Sequence, residues 1–222
     1  MKKLYLAVLA GAASMSAAAA DIGLSVEAGT TGLGIHAVVP VQKQLNARIG
    51  TSLLNYSFDG STSNVDYDFK LKLKTLDALL DWYPAGGAFR FTGGVVYNGN
   101  KITANGRPTA AGTYTLNGNT YTAASAGTLN GQVDFRNFAP YLGIGWGNAV
   151  AGDKAGFGFN ADLGVLLQGS PRTSLANNGC TAPAPVCAQL AADVAAENVR
   201  LRDEVKDFKA YPVLRVGVSY RF

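Results

Sequence analysis

Residues 212–222 constrain this chain more than any other stretch. Read back from the end, Phe222, Tyr220, Val218, Val216 and Leu214 take every second position, all apolar or aromatic. Between them stand Arg221, Ser219, Gly217, Arg215 and Val213, mostly small or charged. Successive side chains of an extended strand point to opposite faces, so this segment has one greasy and one polar face. It is as long as a tilted strand must be to cross a bilayer, roughly 9–11 residues. In hydrocarbon every backbone polar group must be satisfied internally, so such a strand belongs to a closed barrel.

The N-terminus reads as a targeting segment. Lys2 and Lys3 precede an apolar run over residues 4–13, and Ala18, Ala19 and Ala20 fit a small-residue cleavage site. Residues 1–20 are therefore expected to be removed as a signal peptide, leaving one barrel domain over 21–222. The formal net charge is +4, half of it from Lys2 and Lys3, and no long basic run exists. That balance gives no reason to expect a nucleic-acid partner. After the leader no run of about 18 apolar residues occurs, so no spanning helix is expected. The two cysteines, Cys180 and Cys187, lie in a loop-like stretch and are expected to form a disulfide. With His36 the single histidine, no metal site is expected.

Alternation recurs along the chain. Leu24, Val26 and Ala28 form an even apolar set that becomes odd at Leu33, Ile35 and Ala37, so a turn or a bulge is expected at 29–32, and only a turn gives the even strand total of such a barrel. Residues 22–39 then supply two strands, and the six that follow bring the total to eight. Apparent phase slips near Leu53-Leu54 and Thr75 suggest further irregularities. Pro140 suggests a bulge in a strand over 132–147. In residues 114–121 an Asn117-Gly118 pair marks a hairpin. Residues 188–207 carry Leu190, Val194, Leu201 and Val205 near helical spacing, which predicts an amphipathic helix in the last loop. Short turns at 40–44, 84–88 and 148–154 alternate with longer connections at 59–64, 99–131 and 170–208. This is the arrangement of an all-β, up-and-down antiparallel transmembrane barrel with periplasmic turns and extracellular loops in a bacterial outer membrane.

Two resemblances agree. A terminal strand with Tyr220 and a final Phe222 is similar to the last strand of outer-membrane barrels, which implies an assembly signal read by the outer-membrane assembly machinery. Residues 26–32 (Val-Glu-Ala-Gly-Thr-Thr-Gly), 138–146 (Phe-Ala-Pro-Tyr-Leu-Gly-Ile-Gly-Trp) and the tail from Glu197 to Val218 resemble the CarO-like family, described as ornithine-uptake porins. The likeness spans most of the mature chain. It implies an eight-stranded barrel in outer-membrane lipid and passage of small basic or zwitterionic amino acids.

The strand phases assign Glu27, His36, Arg48, Lys70, Lys72, Lys74, Asp77, Asp81, Arg90, Asp162, Arg215 and Arg221 to the lumen, with the lysines toward the outer end. An eight-stranded barrel is just wide enough to be filled by side chains. Mixed charges there either pair and close it or line a narrow path. The sequence thus leaves two readings, a narrow amino-acid channel or a closed structural or adhesive barrel acting through its loops. A lone histidine without a recognisable nucleophile gives no ground for an enzyme, and no cofactor is expected. A monomer is expected.

Overall fold

The structure is a computed structural model and describes residues 22–61, 66–152 and 154–222. The expected leader and its cleavage point lie outside them. In chain order the strands are β1 Gly23–Gly29, β2 Gly32–Gln42, β3 Leu45–Ser61, β4 Asp66–Trp82, β5 Phe89–Asn98, β6 Lys101–Arg107, β7 Thr113–Leu116 and β8 Asn119–Thr122. After the short helix α1 Ala123–Ala126 come β9 Thr128–Asp134, β10 Phe138–Trp146, β11 Gly156–Leu167 and β12 Arg172–Asn178. Helix α2 Ala184–Val205 and strand β13 Ala210–Arg221 complete the chain.

Eight strands close a ring in the order β1, β2, β3, β4, β5, β10, β11, β13, all paired antiparallel. Residues 22–39 do supply two strands, joined by Thr30 and Thr31. Gly32, at φ +97°, makes the corner. This outer rim is low and is tied to β13. Thr30 Oγ1 donates to the Pro212 carbonyl at 3.0 Å, and Tyr211 Oη donates to the Thr30 carbonyl at 2.6 Å.

The outside of the ring is apolar. Leu33, Ile49, Leu76, Leu80, Leu142, Leu163 and Val218 are all about half exposed or more, and Phe157 is 85% exposed. The inside is polar and buried, the reverse of a water-soluble sheet and the distribution a lipid-facing barrel requires. Aromatic rings gather at the periplasmic end. Trp82 stacks on Phe91 at 5.9 Å, Phe157 meets Tyr220 at 4.9 Å, and Tyr220 meets Phe222 at 5.1 Å. Such girdles sit at headgroup level.

Three expected irregularities are absent. β3 and β4 pair one to one from Leu45 opposite Trp82 to Ser61 opposite Asp66, without a bulge. The apparent slips at Leu53-Leu54 and Thr75 record a change of medium instead. Within the ring, the outward face of β4 carries Leu76, Ala78, Leu80 and Trp82; beyond the ring it carries Lys70, Lys72 and Lys74. The inward face changes the opposite way, from Asp77 and Asp81 below to Phe69, Leu71 and Leu73 above. Pro140 also keeps its register, opposite Val95. Pairing with β11 begins only at Tyr141, so on that side of Pro140 there is no ladder for the missing N–H to break.

Above the ring the sheet continues. β4 splits its pairing: residues 75–82 face β5, and residues 66–72 face β6. β9 and β12 extend this branch. One face of the extension carries Leu129 and Leu175, covered by α2 and the β7–β8 hairpin. Tyr114, Leu116, Tyr121, Ala126, Leu129, Leu190 and Val194 form its core. The hairpin turns at Asn117 (φ 49°) and Gly118 (φ 84°), as the sequence predicts. Helix α2 starts at Ala184, four residues before the expected 188, because Pro183 and Pro185 suit a first turn, where a missing N–H costs nothing. Cys187 thus sits in that turn, bonded to Cys180.

Candidate functional site

The ring's interior is the candidate site. The strands place Glu27 on β1, His36 on β2, Arg48 on β3, Asp77 and Asp81 on β4, Arg90 on β5, Asp162 on β11 and Arg215 on β13. All are buried. Each occupies an inward phase of a strand whose alternate residues face lipid, so one alternating pattern creates both the greasy exterior and the ionic interior.

Two arginines act as struts. Arg48 grips Asp162 with both terminal nitrogens, at 2.8 and 3.1 Å. β3 and β11 are four strands apart in a ring of eight, so this fork spans the full width. Arg215 reaches Asp77 at 3.2 Å, and β13 and β4 are also diametrically opposed. The two struts therefore cross. Arg48 also meets Asp81 at 3.1 Å, and Arg90 meets Asp162 at 2.8 Å. Arg90 Nη1 further donates to the Gly147 carbonyl. Bidentate, charge-assisted bonds of this kind are the strong ones.

His36 lies between two carboxylates, Nδ1 at 3.3 Å from Glu27 and Nε2 at 3.1 Å from Asp77. Small polar groups complete the network. Ser25 Oγ and Asn160 Nδ2 donate to Glu27 Oε1 at 2.9 and 2.7 Å, Thr92 Oγ1 donates to Asp81 at 2.6 Å, and Arg215 Nε donates to Thr31 at 3.2 Å. Glycine makes the space: a Cβ on Gly50 would run into the His36 ring, and one on Gly145 would lie 2.8 Å from the Arg90 guanidinium.

Toward the outer mouth the interior turns apolar. Leu79, Val96, Ala139, Tyr141, Leu166 and Val213 pack into one cluster, and the Arg215 guanidinium lies 5.8 Å from the Tyr141 ring centre. Toward the periplasm a void of about 10 Å³ touches Glu27, Arg48, Asp81, Tyr83 and Arg90, room for about one water.

Three residues that the sequence assigns to the lumen lie elsewhere. Lys70, Lys72 and Lys74 are exposed on the outer face of β4, not in the lumen, because β3 and β4 keep one phase throughout. Arg221 keeps the inward phase of β13, half-buried at the periplasmic end of the bore, and Tyr220 and Phe222 join the aromatic girdle. Charge alone does not mark Tyr141 and Asn160, whose inward strand phase is the available signal, nor Thr31, which lies in the β1–β2 turn. No group of three or more His, Cys, Asp or Glu able to hold a metal occurs among the described residues. Both nitrogens of His36 face carboxylates, so it is not poised to activate a hydroxyl.

These features define a class: a small, eight-stranded outer-membrane-type β-barrel with an extracellular cap and an ion-paired interior. The crystal structure of Acinetobacter baumannii CarO is similar, with a TM-score of 0.57 and 22% identity over 90% of this chain and 97% of that one. Acinetobacter baumannii CarO2 gives a TM-score of 0.56 and 20% identity, covering 90% of this chain and 98% of that one. At such identities the likeness is one of fold. No protein-family model and no curated protein sequence matches the chain.

Proposed function

We propose that this protein is a closed outer-membrane barrel that serves as a rigid base for its extracellular cap, in a structural or adhesive role, and that its lumen does not conduct at rest. The crossed struts carry this reading. An amino acid passing through would have to part Arg48 from Asp162 and Arg215 from Asp77. Removing one partner of a buried pair typically costs about 3–5 kcal/mol, so such openings are rare. Above the struts, the apolar cluster around Tyr141 is a second barrier.

Uptake of small basic or zwitterionic amino acids is the second reading. Its support is the mixed acid and base lining of Glu27, Arg48, Asp81 and Arg90, together with the family resemblance of the sequence. It requires the struts to swing aside. Under either reading the leader is cleaved before Asp21, Tyr220 and Phe222 serve assembly, and the barrel is monomeric.

Planar-bilayer recording of the refolded protein separates the two. The closed barrel stays silent with ornithine, arginine or glutamate on either side. Steady solute-dependent current through the unaltered protein would establish the channel instead.

A further inference from the structure

Lys70, Lys72 and Lys74 on β4 and Lys101 on β6 share one face of the sheet extension. Lys72 stands directly opposite Lys101, and like charges so placed destabilise a sheet. Among the described residues none of the four forms an ion pair. Three arginines of the same layer are paired: Arg107 with Asp68 at 2.7 Å, Arg172 with Asp134 at 2.9 Å and Arg200 with Glu197 at 3.0 Å. Asp134 sits opposite Lys101 on β9, yet it turns to Arg172. The lysines thus present uncompensated positive charge beside strands whose arginines, Arg107 and Arg172, are neutralised.

Their position says what they face. The same side of β4 runs without interruption into the lipid-facing Leu76, Leu80 and Trp82. At about 3.4 Å per residue, Lys74 lies about 7 Å and Lys70 about 20 Å along the strand beyond Leu76. That is headgroup depth, immediately above the hydrocarbon. Ser57 and Thr103 flank Lys70, and Asn55 and Lys101 flank Lys72, around a groove of about 210 Å³ that Tyr56 and Leu71 also line. Ammonium groups bind phosphate as point charges, and amide and hydroxyl groups suit the hydroxyls of a sugar.

We infer that the Lys70–Lys72–Lys101 groove binds the phosphorylated sugar headgroup of an outer-leaflet glycolipid. The inference rests on the outer-membrane reading of the barrel. A soluble anion would not need a site continuous with the lipid-facing stripe. A phosphorylated lipid would, since its acyl chains lie along Leu76 and Leu80 while its phosphate meets the lysines.

Native mass spectrometry of the folded protein in detergent, titrated with bisphosphorylated lipid A, tests this. One retained lipid is expected. Each lysine removed weakens a juxtamembrane anionic contact about fivefold, so K70Q/K72Q/K101Q should bind about a hundredfold more weakly. Lys206→Gln with Lys209→Gln, remote from the groove, should bind as the unaltered protein does. If the triple variant fails to fold, Lys72→Gln alone is read for the fivefold loss. Equal binding by the lysine variants, or equal binding of dephosphorylated lipid A, overturns the inference. So does displacement by millimolar inorganic phosphate, which would mark a site for free anions. Heat-modifiable gel mobility and a need for detergent are read on the same samples. Their absence would refute the membrane barrel, whereas their presence without lipid A binding would refute the groove alone.

Discussion

At the scale of the residue, Asp162 is the keystone. It receives both terminal nitrogens of Arg48 and one of Arg90. Asp162→Ala leaves two buried guanidiniums short of a counter-charge, which predicts a loss of about 3–5 kcal/mol. Urea unfolding in detergent, followed by gel mobility, would read it; a loss under about 1 kcal/mol would mean that water replaces the carboxylate. Gly50 gives a steric counterpart. His36 is held from both sides by carboxylates, so its ring cannot yield to a Cβ at Gly50. Gly50→Ala is expected to cost about 1–3 kcal/mol in the same assay, the usual penalty of overpacking. Neither position touches the cap, so both effects belong to the barrel alone.

At the scale of the element, the cap is joined through Asp193 on α2. Its carboxylate accepts from Asn117 Nδ2 at 3.0 Å, Asn119 Nδ2 at 2.8 Å and Gln189 Nε2 at 3.2 Å, and also from Tyr121 Oη. The hydrogen bonds from Asn117, Tyr121 and Asn119 hold it down at about 2. Tyr121 is pushed up to about 12, chiefly by burial and then by its bond to Asp193. The depressed carboxylate stabilises the cap above its unfolded value near 4 and loses that contribution as pH falls through 2. The raised phenol contributes fully below 10 and loses its contribution as pH climbs through 12. Amide exchange at the β7–β8 hairpin should therefore be slow between about pH 4 and 10, after correction for intrinsic rates, and should rise outside that window. Asp193→Ala should remove the acid limb of that profile while leaving the ring strands protected. The sequence made the ring legible because bilayer strands demand strict alternation over their length. The extension was not legible. β6 and β12 offer only Ile102, Ala104, Leu175 and Ala176 among small polar residues and charged ends, a pattern too weak to separate from loop. They are strands because β4 continues past the ring and because α2 covers one face. The lysines were misplaced for the same reason: a polarity reversal along one continuous face looks, in sequence, like a slip of register. Asp193 gave no sign at all, since an acid on an amphipathic helix reads as solvated.

At the scale of the whole molecule, closure and charge balance are the same fact. The interior sets Glu27, Asp77, Asp81 and Asp162 against Arg48, Arg90 and Arg215, with His36 between Glu27 and Asp77. An eight-stranded ring has a bore that its own side chains fill, so a path exists only if those side chains are shortened. Arg48 and Arg215 are the two that cross the full width. Replacing both with serine removes the crossing struts and two positive charges, and leaves the acids in a narrow, poorly screened bore. Rings of carboxylates favour cations. The R48S/R215S barrel should therefore show discrete openings that the unaltered protein lacks, with a reversal potential in a potassium chloride gradient shifted toward that of potassium. Adding Asp77→Ser and Asp162→Ser should keep the openings and weaken the selectivity. Each arginine replaced alone should conduct little, because the other strut still spans the bore. If R48S/R215S assembled, kept its heat-modifiable mobility and stayed silent, the apolar cluster around Tyr141 would be the true seal, and Tyr141→Ala would then be the substitution that opens the barrel.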